Sequence, residues 1–248
     1  NSTHKSMSAL RQGSMVLVGD QDFHHHEAPF HEAVFTHAST SPNLQIIASL
    51  DVARRQMELE GYELVTHAIA LAIEIRRDVN AHPLVSKYFR VLEPAEMIPL
   101  EFRPSGLVSY TESGVTWAQA LEAYRHDEFV LDPTRLTVVC GTAGYDGTQF
   151  KGILAADYGI QLNKTSRNSV LLQTNINNTR SDVAHLIRVL VEISSEIERR
   201  LAHGGPNVRQ EFDARVKSLM TDVPDLPNFS HFHDAYRSDA GKRTNEGD

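Results

Sequence analysis

Apolar residues recur at spacings of three and four along two stretches of the chain, and those stretches predict its strongest helices. Over residues 62–79 the stripe is Leu64, Val65, Ala68, Leu71, Ala72 and Ile75, and His82-Pro83 stops it. Over 182–201 it is Val183, Leu186, Ile187, Leu190, Ile193, Ile197 and Leu201, with Ser181 as the expected N-cap. Further helices are expected over 44–57, 115–124, 150–158 and 208–220. Apolar or β-branched runs predict strands at 135–140, 160–164 and 170–174, and a buried strand at 15–18 that ends in Gly19-Asp20. Prolines at 83, 94, 99 and 104 separate short extended runs such as 87–92. Loops are expected at 21–33, which is rich in histidine, at 36–42, and around Gly141, Gly144 and Gly147. His203-Gly204-Gly205-Pro206 reads as a domain boundary, followed by a polar stretch with little to bury. Helices and strands are mixed along the chain, so a layered α/β or α+β protein is expected rather than a bundle or a sandwich.

Composition narrows the function classes. The chain has 248 residues, 41% hydrophobic and 23% charged, as in ordinary globular proteins. Its net charge of −8 disfavours a general nucleic-acid or anionic-membrane binder. Cys140 is the single cysteine, so no internal disulfide can form, and a cytoplasmic location is expected. No apolar run reaches the length of a membrane span, and no signal peptide is visible. Asn1 stands where a methionine would begin a reading frame, and a piece of a longer protein is the expectation.

Ser2-Thr3-His4-Lys5 is the leading candidate for chemistry. A lysine amine that loses its proton can form a Schiff base with a carbonyl. Downstream come His37-Ala38-Ser39-Thr40-Ser41-Pro42, Leu131-Asp132-Pro133-Thr134-Arg135-Leu136-Thr137 and Gly159-Ile160-Gln161-Leu162-Asn163-Lys164-Thr165. These segments, in this order, resemble the prokaryotic ornithine/lysine/arginine decarboxylases, which are fold-type I (aspartate aminotransferase-like) pyridoxal-phosphate enzymes. A softer match, Leu226-Pro227-Asn228-Phe229-Ser230-His231-Phe232-His233, is similar to the start of that family's C-terminal region.

The resemblance implies an α/β fold in three parts. Residues 1–55 would be the end of the pyridoxal-phosphate-binding large domain, 56–204 a smaller α/β domain, and 205–248 the start of a C-terminal domain. It implies that Lys5 bonds covalently to pyridoxal 5′-phosphate, that His4 lies beside that bond as a proton-transfer candidate, and that Ser2 sits near the cofactor phosphate. Ser39 and Ser41 would reach a cofactor phosphate across a dimer interface, as small hydroxyl donors suit an anion. The implied reaction is decarboxylation of arginine, lysine or ornithine by a homodimer or larger homo-oligomer, with no nucleic-acid or membrane partner.

Several departures bear on this reading. In this fold the aspartate at the pyridine nitrogen, the group stacked on the ring and the phosphate loop precede the lysine, and no residue here matches them. This stretch alone is therefore expected to be inactive. Another fold-type I reaction such as transamination, or a non-catalytic paralogue, are the alternatives. An aminotransferase would need a carboxylate-binding arginine, for which Arg167 and Arg180 are conceivable. His24-His25-His26 with His31 is read as a solvated or interface loop, because adjacent histidines cannot all face one metal. Cys140, after a β-branched run, is read as a buried small hydrophobe.

Overall fold

The computed structural model describes residues 2–38, 41–112, 117–162 and 164–223. In chain order they form α1 (Thr3–Ser6), α2 (Phe23–His37), α3 (Leu44–Ala81), β1 (Arg90–Val91), α4 (Pro94–Met97), α5 (Trp117–His126), β2 (Arg135–Val139), α6 (Gly147–Tyr158), β3 (Lys164–Thr165), β4 (Ser169–Gln173), α7 (Arg180–His203) and α8 (Gly205–Met220). The architecture is mixed α/β, as expected.

The strands form one antiparallel sheet in the order β1-β2-β4-β3. Period-two alternation fixes which face is buried. Val91 pairs with Val138 and Val138 with Val170, while Leu136 pairs with Leu172 one row along. Val91, Leu136, Val138 and Val170 are fully buried against α3, α6 and α7. Leu71, Ile75 and Val79 come from α3, Phe150 and Leu154 from α6, and Val183, Leu186, Leu190, Ile193 and Ile197 from α7. The 182–201 stripe thus faces this core, as does the 62–79 stripe from Leu71 onward, whereas Leu64 and Val65 lie outside it and Val65 is exposed.

α3 is one helix where two were expected. Asn43 caps it, accepting from the amides of Gln45 and Ile46 through its side chain. Nothing between 57 and 62 breaks it: Gly61 is tolerated inside a helix at a cost of about 1 kcal/mol, and Met57 folds over it. At its far end Asn80 grips β1, donating to the Val91 carbonyl at 2.9 Å and accepting from the Val91 amide at 2.8 Å.

Other expectations need correction. Residues 15–18 form no strand among the described residues, and Val16 and Leu17 stand exposed: an apolar run alone does not make a strand. Within 21–33 the structure has the start of α2 instead of a loop, supported by an edge-on Phe23–Phe30 contact and a Glu27–His31 pair at 3.5 Å. The strand expected over 160–164 shortens to Lys164–Thr165, because Gly159 takes a left-handed turn (φ 68°) at the end of α6. The N-cap of α7 is Thr179, not Ser181, and Asp182 Oδ2 accepts from its amide at 2.8 Å. α8 packs back onto the core through Phe212, edge-on to Tyr88, and through buried Leu219. Asn163, Ser39 and the segment 226–233 lie outside the described residues.

Candidate active site

The Lys5 segment is a single helical turn. Ser2 occupies the N-cap of α1 with its hydroxyl uncommitted to capping, and Thr3 is fully buried. The Thr3 hydroxyl and His4 Nδ1 are both buried without a hydrogen-bond partner among the described residues. Buried polar atoms are rarely left unpaired, so such atoms mark places where a further group belongs. Lys5 is exposed, and its ammonium forms no ion pair among the described residues. Ser2, His4 and Lys5 are therefore brought together on one turn.

The chain then runs to the start of α3. The Leu10 amide donates to Ser49 Oγ at 3.0 Å, and Gly13 lies so close to Ile46 and Leu50 that a Cβ there would stand 3.0 Å from each. Ser41 is exposed in the connection before the Asn43 cap.

Beside α1 opens a cleft of about 310 Å³. Ser6 forms one edge, Ala68 and Ile69 of α3 the floor, and Tyr124, Asp132 and Gln173 part of the walls. The Asp132 carboxylate accepts from the Thr134 amide at 2.9 Å and hydroxyl at 2.7 Å, which fixes the turn into β2. Behind this wall lies Arg76, fully buried, its Nη2 donating to the Arg135 carbonyl at 2.7 Å and its guanidinium 5.5 Å from the centre of the Tyr110 ring. Burial lowers the Arg76 pKa, and the Glu93 charge opposes that shift. Burial likewise pushes the Tyr110 and Tyr124 phenols up, so both stay neutral at any physiological pH.

Sequence reasoning missed Tyr124 and Gln173 as neighbours of the lysine segment. The signal for one flank was present in Leu131-Asp132-Pro133, which flags the turn that ends in the cleft wall. The arginines considered for a carboxylate stand elsewhere. Arg167 donates to the Ser218 carbonyl and so ties down α8, and Arg180 is exposed at the start of α7. His24, His25, His26 and His31 lie along exposed α2, and no group of three potential ligands converges among the described residues. Cys140 is fully buried, its thiol pushed up to about 12 by burial and then by Asp146.

The family model for the Orn/Lys/Arg decarboxylase major domain matches residues 1–182, and the chain belongs to that family. It is 28% identical over 212 residues to the inducible lysine decarboxylase of Escherichia coli (strain K12), covering 81% of this chain and 28% of the relative. It is 28% identical over 258 residues to the lysine decarboxylase LdcA of Pseudomonas aeruginosa, covering 97% of this chain and 33% of the relative. The chain therefore spans about a third or less of these relatives. The fold is similar to part of the Francisella novicida lysine decarboxylase LdcF, with TM-score 0.53 at 22% identity over 80% of this chain and 28% of that one. Among the described residues, no helix is long and apolar enough to cross a membrane.

The residues present fit the pyridoxal phosphate that the family implies. The exposed Lys5 amine suits its aldehyde, and His4 Nδ1 and the Thr3 hydroxyl, orphaned among the described residues, supply polar atoms on the same turn.

Proposed function

We propose that this chain supplies the lysine segment and the small domain of a pyridoxal-phosphate-dependent decarboxylase acting on arginine, lysine or ornithine. The observation that carries the reading is α1, which presents the exposed Lys5 amine one residue from a buried imidazole nitrogen that has no hydrogen-bond partner among the described residues, at the edge of a cleft. The curated relatives, which include lysine, ornithine and arginine decarboxylases, support the substrate class. Residues 1–55 would close a cofactor-binding large domain, 56–204 form the smaller domain and 205–248 open a C-terminal one. The first boundary falls inside α3, whose two halves differ sharply in burial.

When bound, the cofactor supplies an electron sink for the pair released as carbon dioxide leaves. Lys5 would hold it covalently through Nζ. His4 would carry a proton at its ring, where one proton is consumed per turnover. The Ser2 hydroxyl would donate to the phosphate, and Ser39 and Ser41 of a second copy would do so across a dimer interface. A lone cysteine held as a buried thiol suits a reducing, cytoplasmic setting. The engagement of Arg167 with α8 weighs against an aminotransferase.

The test uses the full-length parent protein. Added pyridoxal phosphate should give a visible absorption band and carbon dioxide release from one of the three amino acids. Lys5→Ala should abolish the band and lower turnover on the order of 10³-fold or more. A band without carbon dioxide release would move the assignment to another reaction, and no band would refute the role of Lys5.

A further inference from the structure

A one-turn helix cannot hold its own direction. Nucleating a turn fixes several dihedrals for one hydrogen bond, and the last carbonyls of α1 have no partner further along it. Where Lys5 points must therefore be set from outside. Two side chains of one short segment reach it. Gln173, the last residue of β4, donates from Nε2 to the Lys5 carbonyl at 3.4 Å and lies 3.4 Å from Ser6 Oγ. Asn177 Oδ1 accepts from Ser8 Oγ at 3.1 Å. Each contact alone is weak, but together they bracket the residues that follow the lysine.

The segment that sends these side chains is far better anchored than the turn it holds. The Thr174 amide donates to the Thr134 carbonyl at 3.0 Å, and its buried hydroxyl to the Ala68 carbonyl of α3 at 2.9 Å. Asn175 N donates to Asn178 Oδ1 at 2.8 Å, and Asn177 N to Asn175 Oδ1 at 2.9 Å. Thr179 then caps α7. On its other side Gln173 is paired in the sheet with Arg135, whose carbonyl accepts from buried Arg76. The platform is thus tied to α3, the sheet and α7 at once, and it also forms a wall of the cleft at Ser6.

We propose that Gln173 and Asn177 are positioning residues that aim the Lys5 amine by holding the backbone of residues 5–8 against the end of β4. This rests on Lys5 being the cofactor lysine. Loosening the aim should slow turnover more than it weakens substrate affinity, since both side chains act through the backbone of residues 5–8.

The experiment uses the full-length enzyme loaded with pyridoxal phosphate. Gln173→Ala and Gln173→Glu, the second of which keeps the size but not the donor, should each lower kcat about 3- to 10-fold with KM within about twofold. Gln173→Lys keeps a donor and should recover most of the loss. In Gln173→Ala with Asn177→Ala, amide exchange at residues 5–8 should rise about tenfold while β2 and α7 keep their protection. Unchanged exchange at residues 5–8, or a Gln173→Glu enzyme with wild-type kcat, would overturn the proposal. Should the unmodified enzyme show no cofactor band, the role of Lys5 falls, while the exchange comparison still decides whether Gln173 and Asn177 hold the turn.

Discussion

From residue 68 to 79, α3 buries Ala68, Leu71, Ala72, Ile75, Arg76 and Val79. From its start to residue 62 it buries only Ala53 and Gly61, and Leu44, Ile47, Val52, Leu59 and Tyr62 stand exposed. One continuous helix carries apolar residues in both halves. The difference lies in what each half meets among the described residues: the second lies on the sheet and α7, and the first is touched by the segment around Gly13. Helix formation is thus local here, set by the Asn43 cap and the lack of a breaker, whereas burial is tertiary. The same division runs through the described residues 2–66, where Thr3, Gly13, Ala53 and Gly61 are buried, all of them small. Among the described residues, full burial of large apolar side chains begins at Leu71.

The sharpest way to break this comparison is to cut one leucine from each side. Leu190 is 1% exposed in the core and Leu59 is 66% exposed on α3. Leu190→Ala should cost about 2–5 kcal/mol, through lost burial and the cavity left behind. Leu59→Ala should stay within about 0.5 kcal/mol. Urea unfolding of both variants measures the contrast, and similar losses would mean that the first half of α3 is buried in solution.

Glycines in α6 give a smaller test of how tightly the second region is built. A Cβ at Gly147 would lie 2.2 Å from the Ser166 carbonyl oxygen and 2.6 Å from that of Ser169, both backbone atoms. Gly147→Ala should destabilise by about 3 kcal/mol, since α6 must back away from the β3–β4 turn. Gly152 on the same helix has nothing within 4 Å of its Cβ position. Gly152→Ala should stabilise by about 0.5–1 kcal/mol, by removing freedom from the unfolded chain. Opposite signs in thermal melts support the packing described, and equal signs contradict it.

How much was legible in the sequence follows the same division. The stripes over 62–79 and 182–201 named the core helices, because there tertiary burial agrees with local period. Leu136, Val138 and Val170 were visible as strand residues for the same reason. The run at 15–18 misled, because its hydrophobicity was read as burial, whereas Val16, Leu17 and Val18 stand exposed. α2 was missed because its evidence is contacts within one helix, weakly encoded by His and Glu spacing. At the candidate site, Ser2, His4 and Lys5 were legible as one motif. Gln173 and Asn177 were not, since their role depends on contacts about 170 positions apart.

The smallest expected effect compares two carboxylates, one from each region. Asp182 accepts from the Thr179 amide at the head of α7, which holds its pKa below the usual carboxylate value. Glu58, on the exposed half of α3, is also lowered, by Arg55 and Arg54, but its side chain is exposed to solvent. A depressed carboxylate contributes stability that is present above the unfolded pKa of about 3.9 and lost as pH falls through the folded value. Asp182→Ala should therefore cost about 1 kcal/mol at neutral pH, the worth of a cap, and part of that difference should vanish near about pH 2. The part that remains at low pH is the hydrogen bond a neutral carboxyl can still accept. Glu58→Gln should leave stability unchanged at either pH, because its ion pairs with Arg54 and Arg55 are screened by water and salt. Paired urea titrations of wild type and both variants at the two pH values measure this. A pH-dependent loss at Glu58 comparable to that at Asp182 would show that the first half of α3 is shielded from solvent, against the contrast drawn between the two halves.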